Sequence, residues 1–335
     1  MSLHFEPNRT PAPASAGEGP AHSTWQVGEL LRRGAPLFSA SVVAVGVFDG
    51  VHLGHRRILS EARDLASQAG WTPVALTFDR HPSALLRPHA KPPILNTFEE
   101  RMRLLIEAGA QHVVVLEFDA ELAQFEAEAF LRRVVGAALG ARGVVVGRDF
   151  RFGRGAAGDA ALLERTAAAL GWKLRLIEAV KDGGERISST RVRRCIEQGE
   201  VEEAARLLGR AYALEGVVVE GDKLGRKLGY PTANIAPAPG LVLPKDGVYL
   251  AEVLIEGEPV RRGLAVVGTR PTVGGERRTV EAHVLDFSGE LYGRRLRLEF
   301  LSRLRDVQRF DSLDALKAQI ALDVEEARRR FAGGE

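Results

Sequence analysis

From Ser41 onward, short apolar runs alternate with longer stretches in which apolar residues recur every three or four positions. The runs SVVAVGVF (41–48), PVALTF (73–78), HVVVLEF (112–118), GVVVG (143–147) and KLRLIEA (173–179) are short and mostly apolar, as in buried strands. Between them lie LGHRRILSEARDLASQAG, TFEERMRLLIEAG, EAEAFLRRVVGAALG and DAALLERTAAALG, helical in pattern and each ending in glycine, a common helix stop. Strands separated by helices of this length form right-handed βαβ units, so a parallel sheet is expected. The pattern changes after about residue 210. ALEGVVVEG, GVYLAEVLIEGEPV, RRGLAVVGT, RTVEAHVLDFSG and RRLRLEFLSRL follow with only turns between them, which predicts an antiparallel barrel or sandwich. An amphipathic helix from Ser312 to Phe331, capped by Ser or Asp, closes the pattern. The join between the α/β part and the β part falls in the helical stretch near 190–210.

Composition narrows the setting. The 335 residues suffice for two domains, with 45% hydrophobic and 27% charged residues and a net charge of +2. That balance selects neither nucleic acid nor anionic membrane as a partner. The single cysteine, Cys195, permits no intramolecular disulfide and fits a reducing, cytoplasmic setting. No apolar run reaches the roughly 18 residues of a membrane span. Residues 1–35, rich in Pro, Ala, Gly and Ser, lack the pattern of a secretory signal and are expected to form a disordered tail. The arginines of RRLRLEFLSRLR could suit nucleic acid, but they partly alternate with Leu, as on the wet face of a strand, and few aromatics accompany them.

Candidate chemistry begins at GVFDGVHLGHRR (46–57). The first strand ends at Phe48-Asp49, and in an open parallel sheet ligands bind beyond the carboxyl ends of strands. A helix then starts near His52, where free amides attract anions. Gly50 permits a sharp turn, and Gly54 allows close approach to the backbone. His52 and His55, three apart, share a face on the first turn and can donate to a polyphosphate. HxxH spacing also occurs in zinc sites, but zinc requires further protein ligands, and no second His or Cys cluster lies nearby in sequence.

HLGH after a first strand resembles the HxGH signature of the nucleotidyltransferase superfamily. The fuller GVFDGVHLGHR, with TFDRHP (77–82), GRDFRFG (147–153) and RISSTRVR (186–193), resembles the bacterial bifunctional riboflavin kinase/FAD synthetases. GDKLGRKLGYPTANI (221–235), LPKDGVY (243–249), GTRPT (268–272), EAHVLDFSGELYGRRLRLEF (281–300) and RLRDVQRFDSLDALKAQI (303–320) extend the resemblance over about 41–331. It implies a Rossmann-like FMN adenylyltransferase domain over 36–198 and a β-barrel riboflavin kinase domain with a final helix over 199–335.

By this resemblance, His52, His55 and Arg186 stabilise adenylyl transfer. Gly46, Phe48, Asp49, Gly50, Gly54, Ser189 and Thr190 bind ATP phosphates. Ser-Ser-Thr at a helix start is also an adequate N-cap without any ligand. Phe78 and Asp149 are flavin-side candidates, although Phe78 equally suits a buried strand, and His81 could organise its loop. In the second domain a flexible, basic flap with Gly225, Arg226 and Lys227 would cradle phosphates, unless it is only a hairpin with solvated charges. Thr232 and Asn234, two apart on an extended strand, would hold Mg²⁺. Glu281 would act as base toward the riboflavin hydroxyl, against the alternative of an edge-strand glutamate in water. ATP and riboflavin are then substrates, and FMN and FAD products. A competing reading keeps the adenylyltransferase, gives it another substrate and makes the β part a binding module. Neither nucleic acid nor membrane is expected as a partner, and self-association is left open.

Overall fold

A computed structural model describes residues 22–221, 224–272 and 275–333. The first domain is built on six parallel strands: β1 (His22–Trp25), β2 (Ser41–Val45), β3 (Thr72–Phe78), β4 (His112–Leu116), β5 (Ala141–Gly147) and β6 (Lys173–Ile177), in the order β1-β4-β3-β2-β5-β6. Alternate residues of each strand feed opposite layers. Val43, Val45, Leu76, Val114 and Val146 pack in one core cluster, and Val42, Ala44, Ala75, Val113 and Val145 pack in the other. That two-sided burial is why the strands read as unbroken apolar runs.

The chain leaves β2 toward β3 and β4 on one side, then returns to place β5 on the other. The carboxyl ends of β2 and β5 therefore flank the topological switch point, where such sheets bind ligands.

Helix α1 (Val27–Arg32) and α2 (Leu53–Ala69) precede α3 (Phe98–Glu107), α4 (Ala160–Leu170), α5 (Ser189–Gln198), α6 (Val201–Leu208) and α7 (Leu313–Ala332). The helix expected over 126–140 begins as a short α turn, Ala127–Ala129, and widens into a π-helix over Phe130–Ala138. A two-stranded ribbon, β7 (Lys181–Asp182) and β8 (Glu185–Arg186), leads into α5.

The expected tail over 1–35 is corrected where the structure describes it. Residues 22–25 pair in parallel with β4 as an edge strand, and α1 buries Val27 and Leu30. A four-residue strand and a six-residue helix are too short to show a periodicity. Residues 1–21 lie outside the described residues.

The second domain is a closed barrel of β9 (Tyr212–Val219), β10 (Ala233–Pro237), β11 (Gly247–Ile255), β12 (Arg261–Thr272), β13 (Gly275–Val284) and β14 (Arg295–Arg305), in the order β10-β13-β12-β11-β14-β9. Leu214, Ala233, Ile235, Ala251, Val280, Ala282 and Leu298 share the barrel's core. On the outer face Val248, Leu250, Leu264 and Leu285 form a second cluster with Ala327 and Phe331 of α7.

The two domains are not separated by an open linker. Val192, Cys195 and Ile196 of α5 and Val201, Leu207 and Leu208 of α6 belong to the same core cluster as the barrel, so the expected division after residue 198 runs between two helices packed in one core. Ile94 bridges to Leu241, and the Tyr212 hydroxyl donates to the Val242 carbonyl at 2.6 Å. One arginine expected on a wet strand face is enclosed here. Arg297 of β14 pairs with Glu215 at 2.6 Å, Glu299 at 2.8 Å and Glu100 of α3 at 2.7 Å.

The edge strand makes a stability prediction. A chain starting at residue 36 loses the β1–β4 pairing and two buried side chains, so it should be less stable than one starting at residue 22 by roughly 3–5 kcal/mol. Urea unfolding of both chains measures this, and coincident midpoints would show β1 and α1 to be dispensable.

Candidate active site

The turn between β2 and α2 is a strained segment fixed from several sides. Phe48 and Val51 adopt positive φ (54° and 41°), as does Gly50 (82°). For a β-branched residue such as Val51 this conformation persists only when the surroundings impose it. The Phe48 ring, 1% exposed, folds back under Gly46, where a Cβ would lie 2.9 Å from it. At Gly50 a Cβ would meet Leu95 at 2.6 Å.

Several backbone groups of the turn find partners on other segments. The Val47 carbonyl accepts from Thr77 Oγ1 (3.1 Å) and Arg101 (3.2 Å). Ser189 Oγ donates to the Asp49 carbonyl at 2.8 Å, and the Gly50 amide donates to Asn96 Oδ1 at 3.2 Å. The Asp49 carboxylate accepts from the Leu95 amide at 3.0 Å and pairs with Arg193.

His52 caps α2, its Nδ1 accepting from the His55 amide at 3.4 Å. That bond leaves Nε2 to carry the proton and to donate outward. The two imidazoles stack with centroids 3.7 Å apart, and His55 Nδ1 is buried with no partner among the described residues. A Cβ at Gly54 would lie 3.1 Å from His52. The space that glycine leaves is therefore filled by the His52 ring, which revises the expectation that Gly54 opens the backbone to a ligand.

Burial first, then the positive charges of Arg186 and Arg210, lower the His52 pKa to about 4. Burial, the His52 neighbour and Arg186 hold His55 well below its ordinary value. Both rings are neutral at pH 7 and sit in a positive field at a helix start. An incoming polyphosphate reverses that field and strengthens both as donors.

The other expected residues fall around this turn. Arg186, at the end of β8, pairs with Asp149 beyond β5, each side chain 54% exposed, so two candidates meet across the crevice. Thr190 is exposed on the first turn of α5. The N-cap of α5 is Ser188, the first residue of the Ser-Ser-Thr that also read as an N-cap, while Ser189 is engaged with Asp49. Asp49 itself is 5% exposed, and its carboxylate is committed to Leu95 and Arg193. It shapes the turn, and as an acceptor it offers a phosphate no hydrogen bond. Phe48 likewise offers only its backbone. Phe78 is half-buried, edge-on to Phe118 at 5.5 Å, and His81 Nδ1 accepts from the Ser83 amide, organising its loop. Arg193, Arg101, Asn96 and Arg210 were missed. The one local signal was an arginine at a buried helical position between Val192 and Cys195.

A second constellation lies on the outer face of the barrel. Ala233 and Ile235 point into the core, so Thr232 and Asn234 face outward. Asn234 stands opposite Glu281 in the β10–β13 ladder, and Thr232 Oγ1 donates to Glu281 Oε2 at 3.0 Å. Glu281, His283 and Leu285 alternate with the core residues Ala282 and Val284, and His283 Nδ1 lies 2.9 Å from the Pro231 carbonyl. Gly225 and Gly221 cover this cluster. A Cβ at Gly225 would lie 2.4 Å from the Tyr230 carbonyl and 3.2 Å from Thr232 Oγ1, and one at Gly221 would lie 2.2 Å from Asn234 Nδ2. Arg226 and Lys227 are exposed on a helical turn, Leu224–Leu228, where a flexible flap or a hairpin was expected.

Comparisons with known proteins divide the chain the same way. Residues 36–191 match the FAD synthetase family and residues 208–331 the riboflavin kinase family. A bifunctional riboflavin kinase/FMN adenylyltransferase of Escherichia coli is 39% identical over 290 residues, 87% of this chain and 92% of that one. Proteins of the same description from Pseudomonas fluorescens and Bacillus subtilis are 38% and 32% identical, covering 88% and 87% of this chain and 94% and 93% of theirs. A solved Streptococcus pneumoniae chain, described as a macrolide-efflux protein, superposes with a TM-score of 0.84 at 32% identity, over 92% of this chain and 99% of that one. Among the described residues no helix is long and apolar enough to cross a membrane.

The depressed His52 pKa fixes a direction for acid sensitivity. In the unfolded chain His52 takes up a proton near pH 6.5, and in the folded chain only near pH 4. Between those values the unfolded state binds more protons, so this contribution to stability is complete above about pH 6.5 and is lost as pH falls toward 4. Relative to His52→Gln, the wild type should lose up to roughly 3 kcal/mol over that window. Denaturation at pH 7, 6, 5 and 4.5 measures it, and parallel pH slopes would show His52 to be charged or solvated in the native state.

Proposed function

The chain belongs to the bifunctional riboflavin kinase/FMN adenylyltransferase family, and on that premise we propose that residues 36–198 transfer adenylyl from ATP to FMN while residues 199–335 transfer phosphoryl from ATP to riboflavin. The observation that carries this reading is the presence of two separate constellations of different chemistry. One is a pair of stacked, neutral imidazoles, His52 buried and His55 half-buried, at a helix start beyond a parallel strand. The other is a hydroxyl, an amide and a carboxylate on adjacent barrel strands.

In the first domain the FMN phosphate attacks the α-phosphorus of ATP and pyrophosphate leaves. This chemistry needs in-line positioning and donors that strengthen as charge develops. His52 Nε2 and His55 supply such donors, helped by the free amides at the start of α2. Arg186 exchanges its Asp149 partner for phosphate oxygens, which leaves Asp149 free on the flavin side. Thr190, with the amides at the start of α5, is positioned to hold the far end of the triphosphate.

In the second domain the riboflavin 5′-hydroxyl attacks the γ-phosphorus of ATP, the bond to the β–γ bridging oxygen breaks and ADP leaves. Glu281 accepts the hydroxyl proton, and its hydrogen bond from Thr232 orients the carboxylate. Thr232 and Asn234 would hold Mg²⁺. Their neutral oxygens beside a carboxylate suit a hard cation, and Gly221 and Gly225 let the backbone lie close over that face. When bound, the ion neutralises charge on the ATP phosphates. Arg226 and Lys227 add positive charge at the entrance. The buried, unpaired Cys195 accords with a reducing cytoplasm.

The division of labour is testable in one time course with riboflavin, ATP and Mg²⁺, where the wild type should yield FMN and then FAD. Glu281→Ala should slow FMN formation by about 10²–10⁴-fold and still convert supplied FMN to FAD. His55→Ala should show the opposite pattern, accumulating FMN. Equal loss of both steps in either variant would overturn the assignment.

A further inference from the structure

Among the partners of the histidine turn, one comes from the barrel side of the molecule. Arg210 lies between α6 and β9, at the entry to the barrel. Its guanidinium donates to the Gly50 carbonyl at 2.8 Å and to the Val51 carbonyl at 3.4 Å. These carbonyls belong to the two residues that immediately precede His52, and both residues hold positive φ. The neighbouring linker residues dock on the same turn. Leu208 packs over Gly50, where a Cβ would meet it at 3.5 Å. Gly209, at φ 73°, leaves room for Leu53, which a Cβ there would approach to 2.6 Å.

From this geometry we propose that Arg210 is a positioning residue for adenylyl transfer. The linker segment 208–210 clamps the turn before His52, so the first active site is completed from the junction with the barrel. This inference rests on the adenylyltransferase reading above. Arg210 donates to the backbone carbonyls that precede His52 and adds its charge to the field that lowers the His52 pKa; its positioning role runs through the turn, and Arg210→Lys keeps the charge while changing the fork. A guanidinium suits the task because its planar fork spans two successive carbonyls, which the single ammonium of a lysine cannot do in the same fixed geometry. Released, Val51 relaxes toward negative φ and the His52 ring moves off the axis on which it donates. A displacement of about 1 Å in such a group costs on the order of 10²-fold in rate.

Arg210→Met and Arg210→Lys, made in the full chain, test the proposal with FMN adenylylation and riboflavin phosphorylation measured side by side. Arg210→Met should lower kcat for adenylylation by about 10–100-fold, with the KM for ATP within about 3-fold and riboflavin phosphorylation unchanged. Arg210→Lys should recover part of the lost kcat. Unchanged adenylylation in Arg210→Met would overturn the proposal. Equal loss of both activities in both variants would also overturn it, by assigning Arg210 to the fold alone. Wild-type protein that fails to adenylylate FMN would instead sink the functional reading on which the proposal stands.

Discussion

The carboxylate of Asp49 is enclosed between the Leu95 amide and the Arg193 guanidinium. An unpaired charge in that position is expensive, so folding has to bring α5 and the 93–95 segment onto the end of β2 together. Arg193 extends the tie by donating to the Pro93 carbonyl at 2.6 Å. Once these segments meet, the remaining contacts of the turn follow. Ser189 reaches the Asp49 carbonyl because α5 starts there, and Asn96 reaches the Gly50 amide because Leu95 is fixed beside it. The positive φ of Phe48 and Val51 is the local cost of this arrangement. Its outcome is a helix start with its first two histidines stacked and aimed at the switch point of the sheet.

The parts legible in the sequence were those with a local signature. Four strands, β2 to β5, were visible because burial makes them nearly continuous apolar runs, β6 because its leucines alternate with charged residues, and the barrel because its strands alternate and are joined by turns alone. HLGH and PTAN could be placed because each sits at a predictable strand end or strand face. The parts not legible act across long separations through the backbone. Asn96, Arg193 and Arg210 lie 46, 144 and 160 residues from their partners in the turn. Nothing in the residues around them marks an amide or guanidinium that will meet a carbonyl so far away. Asp49 illustrates the same limit from within a recognised motif. Its place in the turn was visible, but its commitment to Arg193 depends on a helix that the motif does not contain. The segment 22–32 escaped for another reason: its elements gain their stability from β4 and the π-helix, not from any pattern of their own.

On the proposed reading the two constellations handle phosphate by different means, and secondary structure explains why. A helix start has unpaired amides, so the first site needs only donors that reinforce them. Two stacked imidazoles would repel each other if both were charged in the free protein, and burial keeps them neutral until an anion arrives. A closed barrel has no such amides, because its strands spend theirs on the ladder. On the proposed reading, phosphate and metal chemistry on its outer wall would therefore fall to side chains at alternate positions. Thr232, Asn234 and the opposing Glu281 are the residues that this geometry puts side by side. The first site is consequently governed by the field around neutral imidazoles, the second by the placement of one carboxylate. A change of pH or a charge substitution near α2 acts on the first with little reason to disturb the second.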